Sequence, residues 1–359
     1  MTNQRIPYYA ALGVCGFLGL IALWLIVTSP GEIADVGEFT TPAPGSGQGI
    51  AVTVQAGQSP SDIGDTLEQL GVIESGTQFQ VLVSLMGVDG LLQAGEYEFR
   101  RNMPAVEVVY RMRNGITATR TVTVIDGWRI EEIADAVEAQ GIPRDEFISA
   151  AGRLDYDFDF VREIPQGQDL EGYLYPATYT VRSTDTGQSM VQKMLEAFDL
   201  NVPVDGIKEQ AQRYNLTLHE VVTIASVIQR EAVVAEEKPV MSQVFLSRIR
   251  SGVGLEADPT VQYAVSEIPG SIRDHGYWKA PLTNDDLNYD SLYNTYLYIG
   301  IPPGPIASPD TESIIAVVQP AATNYLYFVA RPDGTHAFAE TFEQHLLNIE
   351  AIESGNTSP

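Results

Sequence analysis

One acidic residue lies where a helix would normally place an apolar one. The segment TLHEVVTIASVIQREAVVAEE, from Thr217 to Glu237, predicts an amphipathic helix, and Thr217 and Glu220 have the spacing of a capping box, which marks its start. Ile224 and Ile228 then recur at helical spacing, and Glu231 is the next member of that series. Burial raises the pKa of a carboxyl group, and a carboxyl that is protonated at neutral pH can donate its proton. Glu231 is therefore a candidate general acid.

The same position also fits a residue without any catalytic role. A glutamate at the rim of an apolar stripe can pair with an arginine at an interface, and such pairs perturb pKa values too. Helical spacing alone favours this structural interpretation. The motifs that follow along the chain favour catalysis.

Several later segments combine amides, hydroxyls and aromatic rings, which are groups that can bind a polar ligand. They are LEADPTVQY, YNTYLYIGIPPGPIASP, NYLYFV and HAF, and the PPGP run in the second can form neither a helix nor a central strand. Their role could equally be to fix loops through bonds to the backbone, and Asp258 could cap the turn before Pro259. The candidate substrate-binding residues are Gln229, Asp258, Thr260, Gln262, Tyr263, Asn294, Thr295, Tyr296 and His336.

An internal repeat precedes this region. The segment VTVQAGQSPSDIGDTLEQLGV from Val52 aligns with VTVIDGWRIEEIADAVEAQGI from Val122. Each copy predicts a strand, a glycine turn and a helix that ends at a glycine. The first copy continues into a predicted strand from Gly95 to Arg100 and a helix from Ala105 to Arg113.

Other elements connect the repeat to the chemistry-bearing region. EGYLYPATY (171–179) cannot form a long helix, and its aromatic rings could stack on sugars or lie in a core. Helices are predicted from Gln188 to Phe198 and from Pro239 to Arg250, and NYLYFV (324–329) predicts a buried strand. The four histidines have no metal-ligand spacing, so we expect no metal site.

The order of these motifs resembles the YceG-like family of endolytic murein transglycosylases. The resemblance rests on EGYLYPATY, IASVIQRE, ADPTVQY, YNTYLYIGIPPGPIASP, YLYFV and HAF, and it extends from Val52 to the last predicted helix. It implies cleavage of the β-1,4 bond between N-acetylmuramic acid and N-acetylglucosamine within glycan strands, leaving 1,6-anhydro ends. It also implies that Glu231 acts first as general acid and then as base, and that no cofactor is needed.

The chain departs from that family at one position. Many members carry Glu-x-Glu, whereas this chain has Gln229, Arg230 and Glu231. The amide of Gln229 cannot ionise, but it could bind substrate or orient Glu231. Two rival functions stay open: a glycoside hydrolase that uses Glu231 with Asp258 or Asp285, and a non-catalytic wall-binding scaffold.

The amino-terminal segment predicts a membrane anchor. Residues 6–31 carry no charged side chain, and residues 7–28 are long and apolar enough to span a bilayer. Arg5 precedes the segment and acids follow it, which places the amino terminus in the cytoplasm and the rest outside the cytoplasm, in a single-pass protein of the cell membrane. A cleaved signal peptide is the alternative. The only cysteine, Cys15, lies within this segment.

The sequence thus predicts an α+β protein with an amino-terminal transmembrane helix. Its net charge of −26 argues against nucleic acid as a partner. Peptidoglycan glycan strands are the expected substrate, and the resemblance implies a partner in the cell-wall synthesis machinery. Residues 51–115, which contain the first copy of the repeat, resemble a LysM-like module. This module would bind glycan or act as a spacer. The predicted divisions are a cytoplasmic terminus (1–6), a transmembrane helix (7–28), a flexible linker (29–50), a LysM-like domain (51–115), a second α+β repeat unit with its connection (116–182), a YceG-like catalytic domain (183–352) and a disordered tail (353–359).

Overall fold

A computed structural model describes residues 50–115, 120–182 and 184–355 of the chain. The predicted membrane helix (7–28), nearly all of the predicted linker and the end of the predicted tail lie outside these ranges. Within them, no helix has the length and apolar character needed to cross a membrane. From Ala51 onward the chain forms one compact unit of α+β class.

Helices dominate this unit, and its strands form two-stranded sheets. In the described ranges the strands are β1 (Ile50–Val54), β2 (Gly95–Phe99), β3 (Arg120–Thr123), β4 (Thr178–Val181), β5 (Tyr327–Ala330) and β6 (His336–Ala339). The α-helices are α1 (Pro60–Gln69), α2 (Gly76–Met86), α3 (Ala105–Arg113), α4 (Ile130–Glu138), α5 (Arg144–Ala151), α6 (Gly187–Asn201), α7 (Val204–Ala211), α8 (Leu218–Glu231), α9 (Lys238–Ser251), α10 (Asp258–Ser266), α11 (Ser271–His275), α12 (Asn284–Leu287), α13 (Thr311–Val318) and α14 (Phe342–Glu353).

The internal repeat is confirmed, and it extends further than the aligned letters. Each copy has the order βααβα: β1, α1, α2, β2 and α3 in the first, and β3, α4, α5, β4 and α6 in the second. The strand that opens each copy pairs with the strand that follows its two helices. In the second copy this pairing is antiparallel, with Val122 opposite Tyr179. The carboxyl-terminal part of EGYLYPATY therefore provides the partner strand.

Helix α8 lies at the centre of the main core. Its residues from Leu218 to Ile228 are nearly all buried, because α7, α9, α10 and α13 pack around it. A helix that is covered on all sides needs small or apolar residues around its whole circumference. This core extends in sequence from Val122 to Val318, so it includes side chains from both sides of the predicted division at residue 182. The domain divisions themselves stay predictions.

The predicted starts of the helices near the site are confirmed, but the helix predicted over 217–237 ends at Glu231, because the backbone of Ala232 is extended and only a short 3₁₀ turn follows, from Ala235 to Glu237. The Thr217 Oγ1 accepts a hydrogen bond from the Glu220 amide, and the Glu220 carboxylate accepts one from the Thr217 amide (2.8 Å). Helix α9 has Pro239 in its first turn and ends before Gly252, which has φ +65°. Such caps satisfy backbone groups that the helix leaves unpaired.

One local expectation is revised, and one alternative that the sequence left open is decided. The strand predicted over 324–329 begins at Tyr327 and is half-buried rather than buried, because it belongs to a two-stranded sheet that borders an open cleft. The aromatic rings of EGYLYPATY lie mainly in the core: Tyr173 and Tyr179 are buried, and Tyr175 packs against the core with its hydroxyl bonded to Thr311.

Candidate active site

Glu231 is the last residue of α8, and its side chain enters a cleft of about 450 Å³. The pKa of Glu231 is raised to about 8, mainly because burial removes water from the carboxylate; the negative charge of Asp258 adds to the rise and Arg230 opposes it. The cleft is lined by Glu231, Arg248, Glu256, Asp258, Tyr296, Tyr327, Phe328, Val329, Ala330, His336, Phe342 and His345.

The carboxyl of Glu231 is available to a ligand. Within the described residues it makes no hydrogen bond and no ion pair. A pKa near 8 means that the carboxyl holds its proton at neutral pH. A protonated acid that opens onto a cleft and has no protein partner can donate to a bound oxygen atom.

Asp258 and Tyr296 form one wall of the cleft next to Glu231. Asp258 opens helix α10, and its Oδ1 accepts a hydrogen bond of 2.8 Å from the Tyr296 hydroxyl. Both side chains are exposed to the cleft, so each can reach a ligand. Asp258 therefore influences Glu231 through charge while it holds the tyrosine.

Asp258→Asn should shift the pH dependence of cleavage. Removing this negative charge lowers the pKa of Glu231, so the loss of activity with rising pH should occur at lower pH than in the wild type. The measurement is kcat/KM against pH. Glu256→Gln is the matched control, because Glu256 lines the same cleft but is not among the charges that shift Glu231. An unchanged alkaline limb in Asp258→Asn would contradict this assignment.

His336 also lines this pocket, at the start of β6. Glu237 accepts two hydrogen bonds from it, one from the backbone amide (2.9 Å) and one from Nδ1 (2.7 Å). Within the described residues Nε2 has no partner. The structure thus brings together three of the predicted binding residues, Asp258, Tyr296 and His336, with Glu231.

Three other predicted residues are buried and join the loops behind the cleft. Thr260 and Thr295 share a hydrogen bond of 2.8 Å between their hydroxyls, and Thr295 Oγ1 accepts from the Ala257 amide. Asn294 donates to the carbonyls of Leu287 and Tyr289. These bonds fix the start of α10 against the YNTY segment, and so they position Asp258 and Tyr296. A direct role in substrate binding stays a prediction for them.

Gln262 and Tyr263 lie elsewhere on α10. Gln262 donates to the Lys279 carbonyl (3.0 Å). The ring of Tyr263 packs under the guanidinium of Arg129 (4.2 Å) and lines a separate cavity with Tyr293. Neither residue lines the cleft that contains Glu231.

Gln229 connects four parts of the structure. Its Nε2 donates to Asp126 (2.6 Å), and its Oε1 accepts from the Asp310 amide (3.1 Å), the Ser313 hydroxyl (2.7 Å) and Lys238 Nζ (3.4 Å). An amide can donate from its nitrogen and accept at its oxygen, whereas an ionised carboxylate can only accept. Gln229, which replaces the first acid of Glu-x-Glu, can therefore donate a hydrogen bond to Asp126, which a second ionised carboxylate could not do.

Gln229→Glu should destabilise the fold, because it faces the Asp126 carboxylate with a second carboxylate. We expect the free energy of unfolding to fall by about 1 kcal/mol at low salt and by less at high salt, since Asp126 is exposed. Denaturant unfolding measures the change. Asp126→Asn in the Gln229→Glu background should recover most of the lost stability. If the effects of the two substitutions on the free energy of unfolding simply added, the two side chains would not interact directly.

The neighbouring residue Arg230 holds the end of α8 from the other side. Its guanidinium stacks on the Trp278 ring (3.8 Å) and donates to the Gly127 carbonyl (3.3 Å). Trp278 in turn donates from Nε1 to Glu132 (2.9 Å). The two residues that precede Glu231 thus have fixed partners, which limits the positions that its own side chain can take.

The PPGP loop is fixed along α8. Burial lowers the pKa of His219, so its ring is neutral at pH 7; Nε2 donates to the Pro303 carbonyl (3.2 Å) and Nδ1 accepts from the Tyr173 hydroxyl (3.1 Å). Farther along the helix, the Ile306 amide donates to the Ser226 hydroxyl (3.0 Å). EGYLYPATY, α8 and the PPGP loop therefore form one rigid support for the cleft.

Comparisons with known proteins show which family the chain belongs to. The model of the YceG-like family matches residues 52–351. The chain belongs to the YceG-like family. It is 29% identical over 310 residues to an endolytic murein transglycosylase of Bacillus subtilis, with 82% of each chain covered. It is 27% identical over 330 residues to one of Streptococcus pneumoniae, where the match covers 84% of this chain and 58% of that relative.

A solved structure of a YceG-like protein is also similar to this chain. A YceG-like protein from Listeria monocytogenes is 30% identical, with a TM-score of 0.54, and the match covers 84% of this chain and 99% of that one. All residues that line the cleft of this YceG-like chain fall within the range that the family model matches.

The sequence did not indicate several of the residues that line the cleft of this YceG-like chain. Arg248 and Glu256 form an ion pair there, and Glu256 has a left-handed backbone with φ +52°, which is uncommon for a residue with a side chain. No local sequence pattern indicated them. The other missed residues are Tyr327, Phe328, Val329, Ala330, Phe342 and His345, although YLYFV had already marked the strand that carries the first three.

Proposed function

We propose that this YceG-like protein is an endolytic murein transglycosylase that cuts the β-1,4 bond between N-acetylmuramic acid and N-acetylglucosamine within glycan strands. The observation that carries the proposal is the protonated Glu231 carboxyl, which opens onto a cleft and has no hydrogen-bond partner within the described chain. The names of its relatives from Bacillus subtilis and Streptococcus pneumoniae support the same activity.

The proton on Glu231 begins the reaction. It passes to the glycosidic oxygen as the bond between that oxygen and the anomeric carbon of the muramoyl residue breaks. The muramoyl 6-hydroxyl then attacks the anomeric carbon and loses its proton, which closes the 1,6-anhydro ring without water. The ionised Glu231 is a suitable acceptor for that proton, because its raised pKa makes it a better base than an ordinary carboxylate.

The remaining features fit an enzyme at the outer face of the cell membrane. Residues 7–28 would anchor the chain, with its amino terminus in the cytoplasm and residues from 29 onward outside. The βααβα unit from β1 to α3 would be the LysM-like module that binds glycan, followed by the second repeat unit and the catalytic domain. Peptidoglycan is the substrate, and a partner in the cell-wall synthesis machinery would bring nascent strands to the cleft, where cutting limits their length.

Mass spectrometry of digested peptidoglycan tests the proposal. The domain from residue 51 onward should release fragments that end in 1,6-anhydro-muramoyl residues. Reducing ends would instead favour a two-carboxylate hydrolase. Asp258 is then the better second acid, because it lines the cleft with Glu231, whereas Asp285 does not. Binding of glycan without any cleavage would favour a wall-binding scaffold.

A further inference from the structure

A second cavity, of about 620 Å³, is not used by the mechanism above. Two segments of the chain contribute to both this cavity and the cleft. Helix α10 contributes Asp258 to the cleft and Tyr263 to the cavity. The YNTY segment contributes Tyr296 to the cleft and Tyr293 to the cavity. The cleft and the cavity are therefore neighbours along the same two segments.

The carboxylates of this cavity lack a cation. Asp169 and Glu267 line it, and none of the described residues that line it is a lysine, arginine or histidine. Asp169 Oδ1 accepts a hydrogen bond from the Glu171 amide (2.9 Å). Within the described residues, Asp169 Oδ2 and the whole carboxylate of Glu267 have no hydrogen-bond partner. Three carboxylate oxygens are thus available to a ligand.

Two tyrosine hydroxyls belong to the same cavity. The ring centroids of Tyr263 and Tyr293 are 4.8 Å apart, and in the described part of the chain neither hydroxyl has a hydrogen-bond partner. Burial raises the pKa of Tyr293 to about 12, with a further contribution from the negative charges of Asp169 and Glu267. Burial also holds the pKa of Tyr263 well above its usual value. Both hydroxyls are therefore neutral, and each oxygen can accept a hydrogen bond.

One cation lies behind the cavity, and its bonds are already made. The buried guanidinium of Arg129 stacks on the Tyr263 ring (4.2 Å). It pairs with Glu131 (3.0 Å) and donates to the Ser266 hydroxyl. Because its charge is balanced by Glu131, the cavity as a whole remains negative.

An ammonium group fits this set of acceptors. It has three N–H donors and no acceptor, so it can bond to a carboxylate, a tyrosine hydroxyl and the amide oxygen of Gln168 at the same time. Tyrosine rings also attract an organic cation. A metal ion fits less well, since the described residues contain no group of three or more acidic, histidine or cysteine side chains that could hold one.

We propose that this cavity binds a primary ammonium group on the peptide stem of the strand that is cut, with Asp169 and Glu267 as its anionic contacts. The inference rests on the proposed function and deepens it, because it names a part of the substrate that the protein holds outside the cleft. A stem that is held at this cavity fixes the muramoyl residue to which it is attached.

The reach of a peptide stem matches the length of α10. Asp258 begins this helix and Glu267 follows its last residue, so the rise of 1.5 Å per residue separates them by about 14 Å along the helix axis. An extended peptide advances by about 3.3–3.6 Å per residue, so a stem of about four residues spans the same distance. A stem amine can therefore reach the cavity while the sugar that carries the stem lies beside Glu231.

Amine-selective acetylation of peptidoglycan tests the proposal. Acetylation removes the positive charge of the stem amine and leaves the length of the stem and the glycan unchanged. The wild-type full chain should cut untreated peptidoglycan with a kcat/KM about tenfold higher than that for acetylated peptidoglycan, because a hydrogen-bonded charge contact is lost. This ratio compares two substrates of one protein, so it does not depend on the overall activity of a preparation.

Two conservative substitutions locate the effect. Asp169→Asn and Glu267→Gln should each lower the ratio to about threefold, and the double variant should lower it to about one. Asparagine at 169 can still accept from the Glu171 amide, and Glu267 has no hydrogen bond to lose within the described residues. Glu209→Gln is the matched control, because it removes an exposed carboxylate from α7, outside the cavity, and it should keep the tenfold ratio.

Peptidoglycan whose stems have been removed by an amidase distinguishes two sources of the ammonium group. Without stems, acetylation should no longer change the kcat/KM of the wild type. A remaining effect of acetylation would assign the amine to a sugar that has lost its N-acetyl group, and it would overturn the stem contact.

Direct binding separates this proposal from the proposed function. An N-terminally blocked stem peptide that contains lysine should bind the full chain in isothermal titration calorimetry about fivefold more tightly than its Nε-acetylated form. The double variant Asp169→Asn with Glu267→Gln should bind the two peptides equally.

The outcomes then differ for the two proposals. If the wild type releases reducing ends, the proposed function fails, and equal binding of the two peptides would refute the ammonium site as well. If the wild type releases anhydro ends but cuts the untreated and acetylated substrates with kcat/KM values within twofold of each other, the function stands and the ammonium site is refuted.

Discussion

Glu231→Gln should lower the rate of glycan cleavage about a thousandfold at neutral pH. The substitution keeps the size of the side chain but removes the proton that the leaving oxygen must receive, and one such transfer contributes a factor of about 10²–10⁴. The measurement is the initial rate of product release from purified peptidoglycan, with product ends identified by mass spectrometry. Cleavage within tenfold of the wild-type rate would show that Glu231 is not the catalytic acid.

A stability measurement must show that Glu231→Gln is inactive for a reason other than unfolding. The raised pKa of Glu231 predicts how the stability of the two proteins should differ with pH. Its pKa is about 8 in the folded protein, above the ordinary value of 4.5, so the folded state holds the proton between these pH values while the unfolded chain releases it. The free energy of unfolding of the wild type should therefore decrease as pH rises from about 5 to about 8.

The amide that Glu231→Gln introduces does not titrate, so the variant should lack this decrease. Near pH 8.5 Glu231→Gln should be more stable than the wild type by roughly 1–3 kcal/mol, allowing for partial exposure to solvent. At pH 5 the difference should nearly vanish. Denaturant unfolding at the two pH values measures it, and a variant that is less stable at both would leave its inactivity without a catalytic interpretation.

Gly172→Ala should destabilise the protein by about 2–5 kcal/mol. Gly172 has φ +84°, and an added Cβ would lie 2.5 Å from Pro305 Cβ and 2.9 Å from Val222 Cγ1. The left-handed backbone costs a residue with a side chain about 1–2 kcal/mol, and overpacking of a tight contact adds about 1–3 kcal/mol. For a chain of this size the midpoint of thermal unfolding should fall by roughly 5–15 °C.

The same substitution should lower activity, because it separates the EGYLYPATY segment from the PPGP loop that α8 holds in place. Gly206→Ala is the matched control: Gly206 lies within α7, has no atom near its added Cβ and needs no left-handed backbone. There alanine should be neutral or stabilise the fold by up to about 1 kcal/mol. Equal effects of the two substitutions would contradict the close contact at Gly172.

Much of the local structure follows from short-range rules. The capping box at Thr217 and the proline at position 239 predicted the starts of α8 and α9, whereas α8 ends at Glu231 and not at the predicted Glu237. The repeated strand, glycine turn and helix predicted the start of both βααβα units. Strand β4 was not predicted, because its pairing with β3 depends on residues more than 50 positions away.

The sequence predicted the acid of the candidate site but not the roles of the residues around it. Glu231 drew attention because an acid interrupts an apolar helical series, and the order of the later motifs, through the family resemblance, then favoured a catalytic role. The roles of Thr260, Thr295 and Asn294 could not be separated from substrate binding, since hydroxyls and amides serve loops and sugars equally well. Their burial and mutual hydrogen bonds show that they hold the loops of the cleft.

The sequence alone determined the family, the α+β class, the main helices and the position of the acid, because these depend on residue types at short spacing. Only the tertiary structure decided the environment of that acid. The pKa of Glu231 depends on loss of water and on Asp258, which is brought close by the fold. The pairing of His336 with Glu237 and of Gln229 with Asp126 likewise depends on contacts between distant segments, which no local pattern encodes.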